Sequence, residues 1–329
     1  MIRTINLLLV LVLVCCFAYM ASAKAKEIID PAEAMTDPDF HVQGEYVGDG
    51  QWPDGAKGKV GAQVIALGDG NFRVVLTKGG LPGDGWKRED PRIFLDGKRE
   101  EKVTKLSGEN ISGEISGAKM TIAAADGKAK LELARTERKS STLGEKPPQA
   151  AVVLFDGSAA DAFDHGQIVQ GDAILSGITT KPKFDGKYRL HLEFRLSWMP
   201  AGRGQGRSNS GVYLHDCYEL QVLDSFGLEG RNNECGGFYK IREPDVNMCL
   251  PPMQWQTYDF DFTAPKYEGG KKVANARVTV RHNGVVIHDD LELPNGTPGR
   301  AGEGAGPRPF HLQGHGNHVL YRNIWVEQK

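Results

Sequence analysis

The sequence is poor in cysteine and has no large excess of charge of either sign. Its 329 residues include 5 cysteines, and 40 basic residues nearly balance 42 acidic ones, for a formal net charge of −2 at pH 7. A protein that binds nucleic acid through its phosphates needs a basic patch, so this balance predicts no nucleic-acid partner. The chain also lacks a sustained apolar repeat at helical spacing, which excludes a helical bundle.

Long hydrophobic runs are confined to the N-terminus. An apolar run at 7–18 follows Arg3 and precedes small residues at 21–23. The run is shorter than the roughly 20 residues that span a bilayer, so a membrane anchor is the weaker interpretation. The pattern predicts a cleaved signal peptide at residues 1–23, and hence a secreted or periplasmic protein with no membrane span in the mature chain.

Three cysteines would remain after cleavage: Cys217, Cys235 and Cys249. Thiols that lie close together pair in an oxidising compartment, so we expect a disulfide between Cys235 and Cys249, with Cys217 unpaired. Closing a loop of about 15 residues in this way would stabilise the fold by about 3 kcal/mol. A zinc site is the alternative, but no two of these cysteines have C-x-x-C spacing.

Short alternating apolar runs, separated by glycine, asparagine and aspartate, recur along the mature sequence. This period of two is typical of strands and predicts an all-β protein. Asp-Gly and Asn-Gly pairs tolerate the positive φ values of two-residue hairpin turns. Four pairs are predicted hairpin tips: Asp69-Gly70, Asp96-Gly97, Asp126-Gly127 and Asn283-Gly284.

The strand pattern lapses once, in a polar stretch that ends in Pro147 and Pro148. Such a segment has little to bury and is typical of a linker. We therefore predict a smaller N-terminal β-rich domain at 24–138, a linker at 139–150 and a second domain at 151–329. Seven or more short strands in the second domain point to a two-sheet sandwich or jelly roll.

Alternation in the second domain separates a core face from a polar face. In the strand around 218–223, Tyr218, Leu220 and Val222 would pack inward, which leaves Glu219 and Gln221 on the opposite side. A polar sheet face with many donors and acceptors is typical of sugar binding, although it can also be merely solvated. The polar candidates are Arg195, Asn209, His215, Glu219, Gln221, His311, His315 and Asn317.

Several ordered motifs resemble the 3-keto-disaccharide hydrolase domain, a family placed among the concanavalin A-like jelly rolls. The segments that carry the resemblance are Leu154-Phe155-Asp156-Gly157, the runs at 209–214 and 218–224, Trp255 to Asp259, and Gln313 to Asn317 ahead of Arg322-Asn323-Ile324. The first domain is similar to a β-rich extension found ahead of this domain in some bacterial secreted proteins. Two stretches depart from the family pattern. His215-Asp216-Cys217 stands at the turn after the run at 209–214, and in the last motif Gly314 stands where an acid is expected and His318 where proline is expected.

The resemblance implies a carbohydrate-active enzyme that cleaves 3-keto-glycosides, with an oligosaccharide or glycoside as substrate. A ketone at C3 acidifies the C2 proton, so one base can start elimination at C1, and water then adds back. Glu219 is the best candidate for this base. Arg195, His315 or a bound divalent cation could stabilise the negative charge on the enolate oxygen. The expected substrate-binding residues are Asn209, Gln221, His215, Asn317 and Asp224.

Two other functions remain open. One is a non-catalytic carbohydrate-binding module of a cell-surface or secreted assembly. The other is a conventional β-glucan hydrolase, which needs two carboxyl groups close together. Glu219 and Asp224 would lie roughly 17 Å apart along an ideal strand and point to opposite faces, so the partner acid would have to be another, such as Glu193 or Glu234. The single-base route requires that the polar sides of neighbouring strands converge into one hollow with Glu219 at its floor.

Overall fold

The computed structural model describes residues 25–329, so the predicted signal peptide at 1–23 lies outside the described residues. Apart from the four-residue helix α1, Pro31–Ala34, and a single 3-10 turn, Gly204–Gly206, the regular structure in this range is all strand. This confirms the all-β prediction. No helix in the described range has the length and apolar character needed to cross a bilayer.

The first ten strands build a closed antiparallel barrel and one short accessory pair. Around the barrel the order is β1, β10, β9, β8, β7, β6, β3, β2, while β4 and β5 pair with each other. The strands are β1 (Gly44–Gln51), β2 (Lys57–Gly68), β3 (Asn71–Lys78), β4 (Leu81–Pro82), β5 (Gly85–Trp86), β6 (Arg92–Glu100), β7 (Val103–Gly108), β8 (Ile111–Ser116), β9 (Lys119–Ala124) and β10 (Lys130–Thr136).

Three of the four predicted hairpin tips are confirmed, and one is wrong. Asp69-Gly70 joins β2 to β3, and both residues have positive φ. The Asp126-Gly127 and Asn283-Gly284 pairs also lie between paired strands. Asp96-Gly97 instead lies inside β6, because Gly97 faces the barrel core, where an added Cβ would stand 3.0 Å from the Cβ of Phe72.

The second domain is a sandwich of two sheets. The large sheet has the order β13, β14, β25, β16, β19, β22, β23, with β11 also paired to β25, and the small sheet has the order β12, β15, β24, β17, β18. The strands are β11 (Val152–Phe155), β12 (Phe163–Asp164), β13 (Ile168–Val169), β14 (Ala173–Leu175), β15 (Ile178–Thr180), β16 (Lys187–Arg195), β17 (Ser210–Leu214), β18 (Tyr218–Val222), β19 (Trp255–Thr263), β20 (Lys266–Glu268), β21 (Lys271–Ala274), β22 (Ala276–His282), β23 (Val285–Leu293), β24 (His311–Leu312) and β25 (Leu320–Gln328).

The inner faces of both sheets supply the apolar core. Leu190, Leu192 and Phe194 of β16 pack against Leu220 and Val222 of β18 in one buried cluster. The alternation expected for β18 is therefore observed, and β16 follows the same pattern. It follows that the polar residues of β16 and β18 lie on opposite outer faces of the sandwich.

The barrel and the sandwich share side chains across their junction. Trp198, which follows β16, is buried in the barrel core, whereas Ile65 and Val75 of the barrel belong to the sandwich core. Arg207 links the two parts by an ion pair to Asp224 (Nε to Oδ2, 2.6 Å) and a hydrogen bond to the Ala66 carbonyl oxygen (3.1 Å). These contacts hold the two β units against each other.

The predicted disulfide is absent. Cys217, Cys235 and Cys249 are all free and buried. The predicted pair does lie together, because the thiols of Cys235 and Cys249 are hydrogen-bonded to each other, and Cys235 also contacts the hydroxyl of Tyr258, 3.1 Å away. The expectation relied on spacing and compartment alone, and neither reveals that the apolar core already holds these side chains in place.

Candidate active site

The outer face of the small sheet carries the residues that can do chemistry. On β18, Glu219 and Gln221 point outward, because Tyr218, Leu220 and Val222 occupy the core side. Register places Tyr213 of β17 directly opposite Glu219. The same register places Gly211 opposite Gln221, so two outward-facing rows cross β17 and β18.

Strand β24 extends both rows. His311 pairs with Tyr213 on the far side of β17, with ring centroids 5.8 Å apart. Gln313 follows β24, and its backbone N–H donates to the Gly211 carbonyl oxygen at 2.8 Å. One row therefore runs His311, Tyr213, Glu219, and the next runs Gln313, Gly211, Gln221.

Gly211 makes room for the carboxyl group of Glu219. A Cβ atom built on Gly211 would lie 2.5 Å from Oε1 of Glu219, closer than any side chain permits. The missing side chain thus lets the carboxyl group lean across β17 toward the Gln313 row. Glycine is required at this position by close approach rather than by backbone conformation.

Among residues 25–329, no cationic side chain forms an ion pair with Glu219. The residue is 3% exposed, and burial raises its pKa to about 7. A hydrogen bond from the hydroxyl of Tyr213 opposes this shift and is the only other contribution within the described chain. A carboxyl group that titrates near neutral pH can both accept and return a proton.

Tyr213 joins Glu219 to the rest of the face. Its hydroxyl accepts a hydrogen bond from Nε2 of Gln313 at 3.2 Å and lies 3.3 Å from the Pro298 carbonyl oxygen. Burial and the nearby Glu219 carboxyl group raise the pKa of Tyr213, so the phenol remains protonated. Its single proton can be donated either to the Pro298 carbonyl oxygen or to the Glu219 carboxylate.

Three amide oxygens around Gly211 receive no hydrogen bond from any residue in the described part of the chain. They are Oδ1 of Asn209, Oε1 of Gln221 and Oε1 of Gln313, and all three are buried. An unpartnered buried acceptor costs about 1–3 kcal/mol. Because the three acceptors share one face with Glu219, they are the natural partners of a ligand that carries several hydroxyl donors.

His311 is neutral in this setting. Burial, together with the charge of Arg300, lowers its pKa to about 4. Its Nδ1 lies 2.9 Å from Oγ1 of Thr179, which fixes the ring beside Tyr213. The site therefore contains one ionisable carboxyl group among neutral polar groups.

The face is covered rather than open. Segment 236–239 pairs with the free edge of β18, where the N–H of Gln221 donates to the Gly237 carbonyl oxygen at 2.9 Å. On the other side, the N–H of Glu219 donates to Oγ1 of Thr297 at 2.9 Å, and the Thr297 loop reaches Tyr213 through Pro298. Segment 236–239 thus extends the sheet at its edge, and the loop at 297–299 lies over the polar face, so a covered polar cluster stands where the open hollow was expected.

Arg195 does not belong to this cluster. It lies on the outer face of the large sheet, with its guanidinium over the Trp255 ring at 4.8 Å and hydrogen-bonded to Gln170. Arg195 and Glu219 project from opposite outer faces of the sandwich, because β16 and β18 both turn their apolar sides inward. The expected role of Arg195 beside Glu219 is therefore corrected.

Asp224 and His215 also lie outside the cluster. Asp224 follows β18 and forms a buried ion pair with Arg207, so its carboxylate stabilises the junction with the barrel. His215 is buried against the core ring of Phe262, with centroids 6.1 Å apart. Positive φ values at 215 and 216 turn the chain there, and this turn directs His215 toward the core.

The remaining two candidates flank the cluster. Asn317 is buried, and its Oδ1 accepts from the backbone N–H of Asn209 at 3.2 Å, so it positions Asn209. His315 is exposed on the loop after Gln313, and within residues 25–329 its side chain has no hydrogen bond or ring contact that directs it toward Glu219. A catalytic role for His315 remains a prediction.

The candidate partner acids for a two-carboxylate mechanism lie elsewhere. Glu193 is on the outer face of the large sheet, paired to Arg322 at 2.7 Å. Glu234 accepts from the N–H groups of Gly230 and Arg231 in its own loop. Neither is positioned to act with Glu219, so the geometry does not support the conventional β-glucan hydrolase.

A group that could hold a divalent cation lies on the same outer face as Glu193. Ligand atoms of Glu145, His191 and Asp259 all lie within 4.8 Å of one another. Arg189 already contacts both carboxylates, at 2.9 Å and 3.0 Å, so its guanidinium supplies the positive charge there. These residues fit an ion-pair network better than a metal site.

Three residues of the cluster were not selected from the sequence: Tyr213, Gln313 and Gly211. The sequence could have indicated Tyr213 and Gly211, because they alternate with the candidate Asn209 along one strand and so share its face. Gln313 could have been placed only with the pairing of β24 to β17, which joins residues about 100 positions apart.

Comparison with known families and structures identifies relatives of the second domain. The model of the family described as "3-keto-alpha-glucoside-1,2-lyase-like domain" matches residues 150–327, just over half of the chain. No curated protein matches the chain. The matched residues include every member of the cluster around Glu219.

Solved structures of candidate glycosyl hydrolases from Parabacteroides distasonis ATCC 8503 are also similar. One is 29% identical, with a TM-score of 0.49, and the match covers 55% of this chain and 85% of that one. Another is 16% identical, with a TM-score of 0.40, over 55% of this chain and 94% of that one.

Proposed function

Because this chain belongs to the family of 3-keto-alpha-glucoside-1,2-lyase-like domains, we propose that its sandwich domain cleaves 3-keto-glycosides with Glu219 as the base. Membership makes the chain a carbohydrate-active protein of the hydrolase or lyase type. The observation that supports the specific reaction is a buried carboxyl group that lacks a counter-ion and has a pKa of about 7. An ordinary glycosidase would need a second carboxyl group beside it.

The proposed reaction needs only one proton carrier. The ionised carboxylate of Glu219 removes the proton from C2, and the electron pair moves to the C3 oxygen as an enolate. The enolate then expels the C1 substituent, breaking the C1–O bond and leaving a C1–C2 double bond conjugated to the ketone. The proton on Glu219 passes to the departing oxygen, and water can add across the double bond to complete hydrolysis.

The unpartnered acceptors of the site match the hydroxyl groups of such a substrate. Amide oxygens of Asn209, Gln221 and Gln313 can each accept a hydrogen bond from a sugar hydroxyl, which removes the cost of their burial. Tyr213 stabilises the ionised form of Glu219 by donating to it. One row of the small sheet would thus bind the sugar hydroxyls, and the adjacent row would supply the base, Glu219.

Substrate would reach Glu219 by displacing part of its cover. The loop after Thr297 contains Gly299, whose φ of +102° no other residue adopts without strain. An added Cβ at Gly299 would stand 2.7 Å from the hydroxyl of Tyr213, so this loop sits directly over the site. We propose that movement of this loop admits the sugar ring.

A turnover assay tests the proposal. The wild-type chain, Glu219→Gln and the matched control Glu193→Gln are each incubated with a 3-keto-disaccharide and with its unoxidised parent. We expect wild type to consume only the keto sugar, and Glu219→Gln to lose that activity. Failure of wild type to consume it, or full activity of Glu219→Gln, contradicts the proposal. Saturable binding without product would instead favour the non-catalytic carbohydrate-binding module.

We also propose that the protein is exported, with residues 1–23 removed. Expression in a bacterial host with intact secretion, followed by mass spectrometry of the mature N-terminus, tests this. A mature chain that begins after residue 23 is expected. A chain that keeps Arg3 contradicts the proposal.

A further inference from the structure

The barrel carries a cavity that the proposed reaction does not use. Its volume is about 690 Å³, within the range of roughly 300–1,000 Å³ that is common for small-ligand sites. It opens at one mouth of the barrel, between the start of β6 and the turns after β7 and β9. Apolar side chains of Ile93 and Ile111 contribute to its lining, and Ile111 is also part of the barrel core.

An aromatic platform borders this cavity. Phe94 is 51% exposed, which is unusual for so large an apolar side chain. The guanidinium of Arg92 lies over the Phe94 ring at 5.6 Å and over the Trp86 ring at 5.5 Å, so the platform is held in place. A ring fixed in this way offers a flat surface to the C–H side of a sugar.

Polar groups without partners line the same cavity. Within residues 25–329, the side chains of Arg92, Glu109 and Asn110 have no hydrogen-bond or ion-pair partner. Asp126, which is paired with Lys128, also lines the cavity, so the lining offers donors and acceptors with a slight excess of negative charge. A purely apolar ligand would leave them unused, and an anion would meet Glu109, whereas a neutral polyhydroxylated ligand suits both the platform and the polar groups.

The cavity is held close to the sandwich. Phe94 pairs across the sheet with Val75, and Val75 is buried in the core of the sandwich. The barrel is fixed there by Trp198 and Arg207, so a ligand at its mouth has a defined position relative to the second domain.

We infer that the barrel mouth is a second carbohydrate site, which binds a sugar chain through Phe94, Arg92, Glu109 and Asn110. The inference relies on the proposed function only for the class of substrate. Its role would be to retain an oligosaccharide or polysaccharide on the protein, independently of turnover at Glu219.

Titration calorimetry of the full chain with Glu219→Gln, which removes turnover, tests the inference. The probes are unoxidised gluco-oligosaccharides of about two to six units, the shorter of which are comparable in size to drug-like ligands. We expect saturable binding, a loss of affinity of about tenfold or more for Phe94→Ala, and a smaller loss for Glu109→Gln. Val286→Ala is the matched control, because Val286 is an apolar residue on the sandwich that is 40% exposed.

Three results would overturn the inference: no saturable binding at any chain length, binding unchanged by Phe94→Ala, or equal weakening by the control. Turnover of a keto-disaccharide by Phe94→Ala with Glu219 intact separates the two proposals. Unchanged turnover with lost oligosaccharide binding supports both. Absence of turnover in wild type with Phe94-dependent binding would leave the barrel site standing and remove the proposed reaction.

Discussion

The two outer faces of the sandwich are equally buried and electrostatically opposite. On the large sheet, burial pushes the pKa of Glu193 upward, but hydrogen bonds from His191, Asn323, Arg322 and Gly144 outweigh it and hold the pKa at about 2. On the small sheet, burial of Glu219 is opposed only by Tyr213, and the pKa rises to about 7.

The difference teaches how to separate a structural network from a reactive site. Residues from the predicted linker complete the network on the large sheet: Thr142 donates to Asp259 at 2.8 Å, and the N–H of Gly144 donates to Glu193 at 2.6 Å. The face around Glu219 has unpartnered acceptors instead. A buried charge whose hydrogen bonds are complete indicates a structural role, whereas buried polar groups without partners indicate a place for a ligand.

The sharpest way to break the comparison is to neutralise one acid on each face. Glu219→Gln should lower kcat on a 3-keto-disaccharide by about 10²–10⁴-fold, since it removes the base. Glu193→Gln should retain kcat within about threefold, because Glu193 lies on the other outer face. Steady-state kinetics on both variants decide the point, and similar losses would contradict the assignment.

Stability should respond in the opposite order. Removing the Glu193 carboxyl group by Glu193→Ala should cost about 3–5 kcal/mol of unfolding free energy, because the Arg322 ion pair and the hydrogen bonds from Asn323 and Gly144 lose their partner. Urea denaturation measures this. A cost below about 1 kcal/mol would show that the network on the large sheet contributes little.

Glu219→Gln should stabilise the fold, and only at higher pH. The unfolded carboxyl group loses its proton near its ordinary pKa of 4.5, while the folded one keeps it until about pH 7. Wild-type stability therefore falls as pH rises through this window, by on the order of 3 kcal/mol. Melting curves should show Glu219→Gln above wild type at about pH 8 and equal to it at about pH 4. No pH dependence of the difference would contradict the raised pKa.

Tyr213→Phe should sharpen the role of the small-sheet row. The hydroxyl lowers the pKa of Glu219, so its loss should raise that pKa further. Activity rises with pH as Glu219 ionises, and the rising limb of kcat should move upward by about one pH unit in the variant. An unchanged limb with reduced kcat would show that Tyr213 contributes packing alone.

The smallest effect is expected at Arg195. Arg195→Gln should change kcat on the keto sugar by less than about twofold, because the residue stacks on Trp255 at the opposite face. A large loss of kcat with unchanged stability would contradict this expectation, because it would show that Arg195 affects the reaction at Glu219 from the opposite face.

The sequence predicted strands and their faces well. Alternation placed Tyr218, Leu220 and Val222 inward, and the Asp69-Gly70 turn lies between β2 and β3. Both signals are local, with a period of two residues or a dipeptide with positive φ. Glu219 and Gln221 were placed on one polar face by the same argument.

Pairing between distant strands could not be predicted in this way. Arg195 and Glu219 both alternate outward, and only the packing of two sheets shows that they face opposite directions. The ion pair of Asp224 with Arg207 depends on a junction with the barrel that has no local signal. The cover over Glu219 depends on contacts from Thr297, about 80 positions away.

Titration of the two carboxyl groups tests the account most directly. Carbon-13 NMR of protein labelled at glutamate side chains, assigned with Glu219→Gln and Glu193→Gln, reports each ionisation separately. Glu219 should titrate near pH 7, and Glu193 should remain ionised down to about pH 2. Titration of Glu219 near its ordinary value of 4.5 would contradict its assignment as an unpaired base on the small sheet.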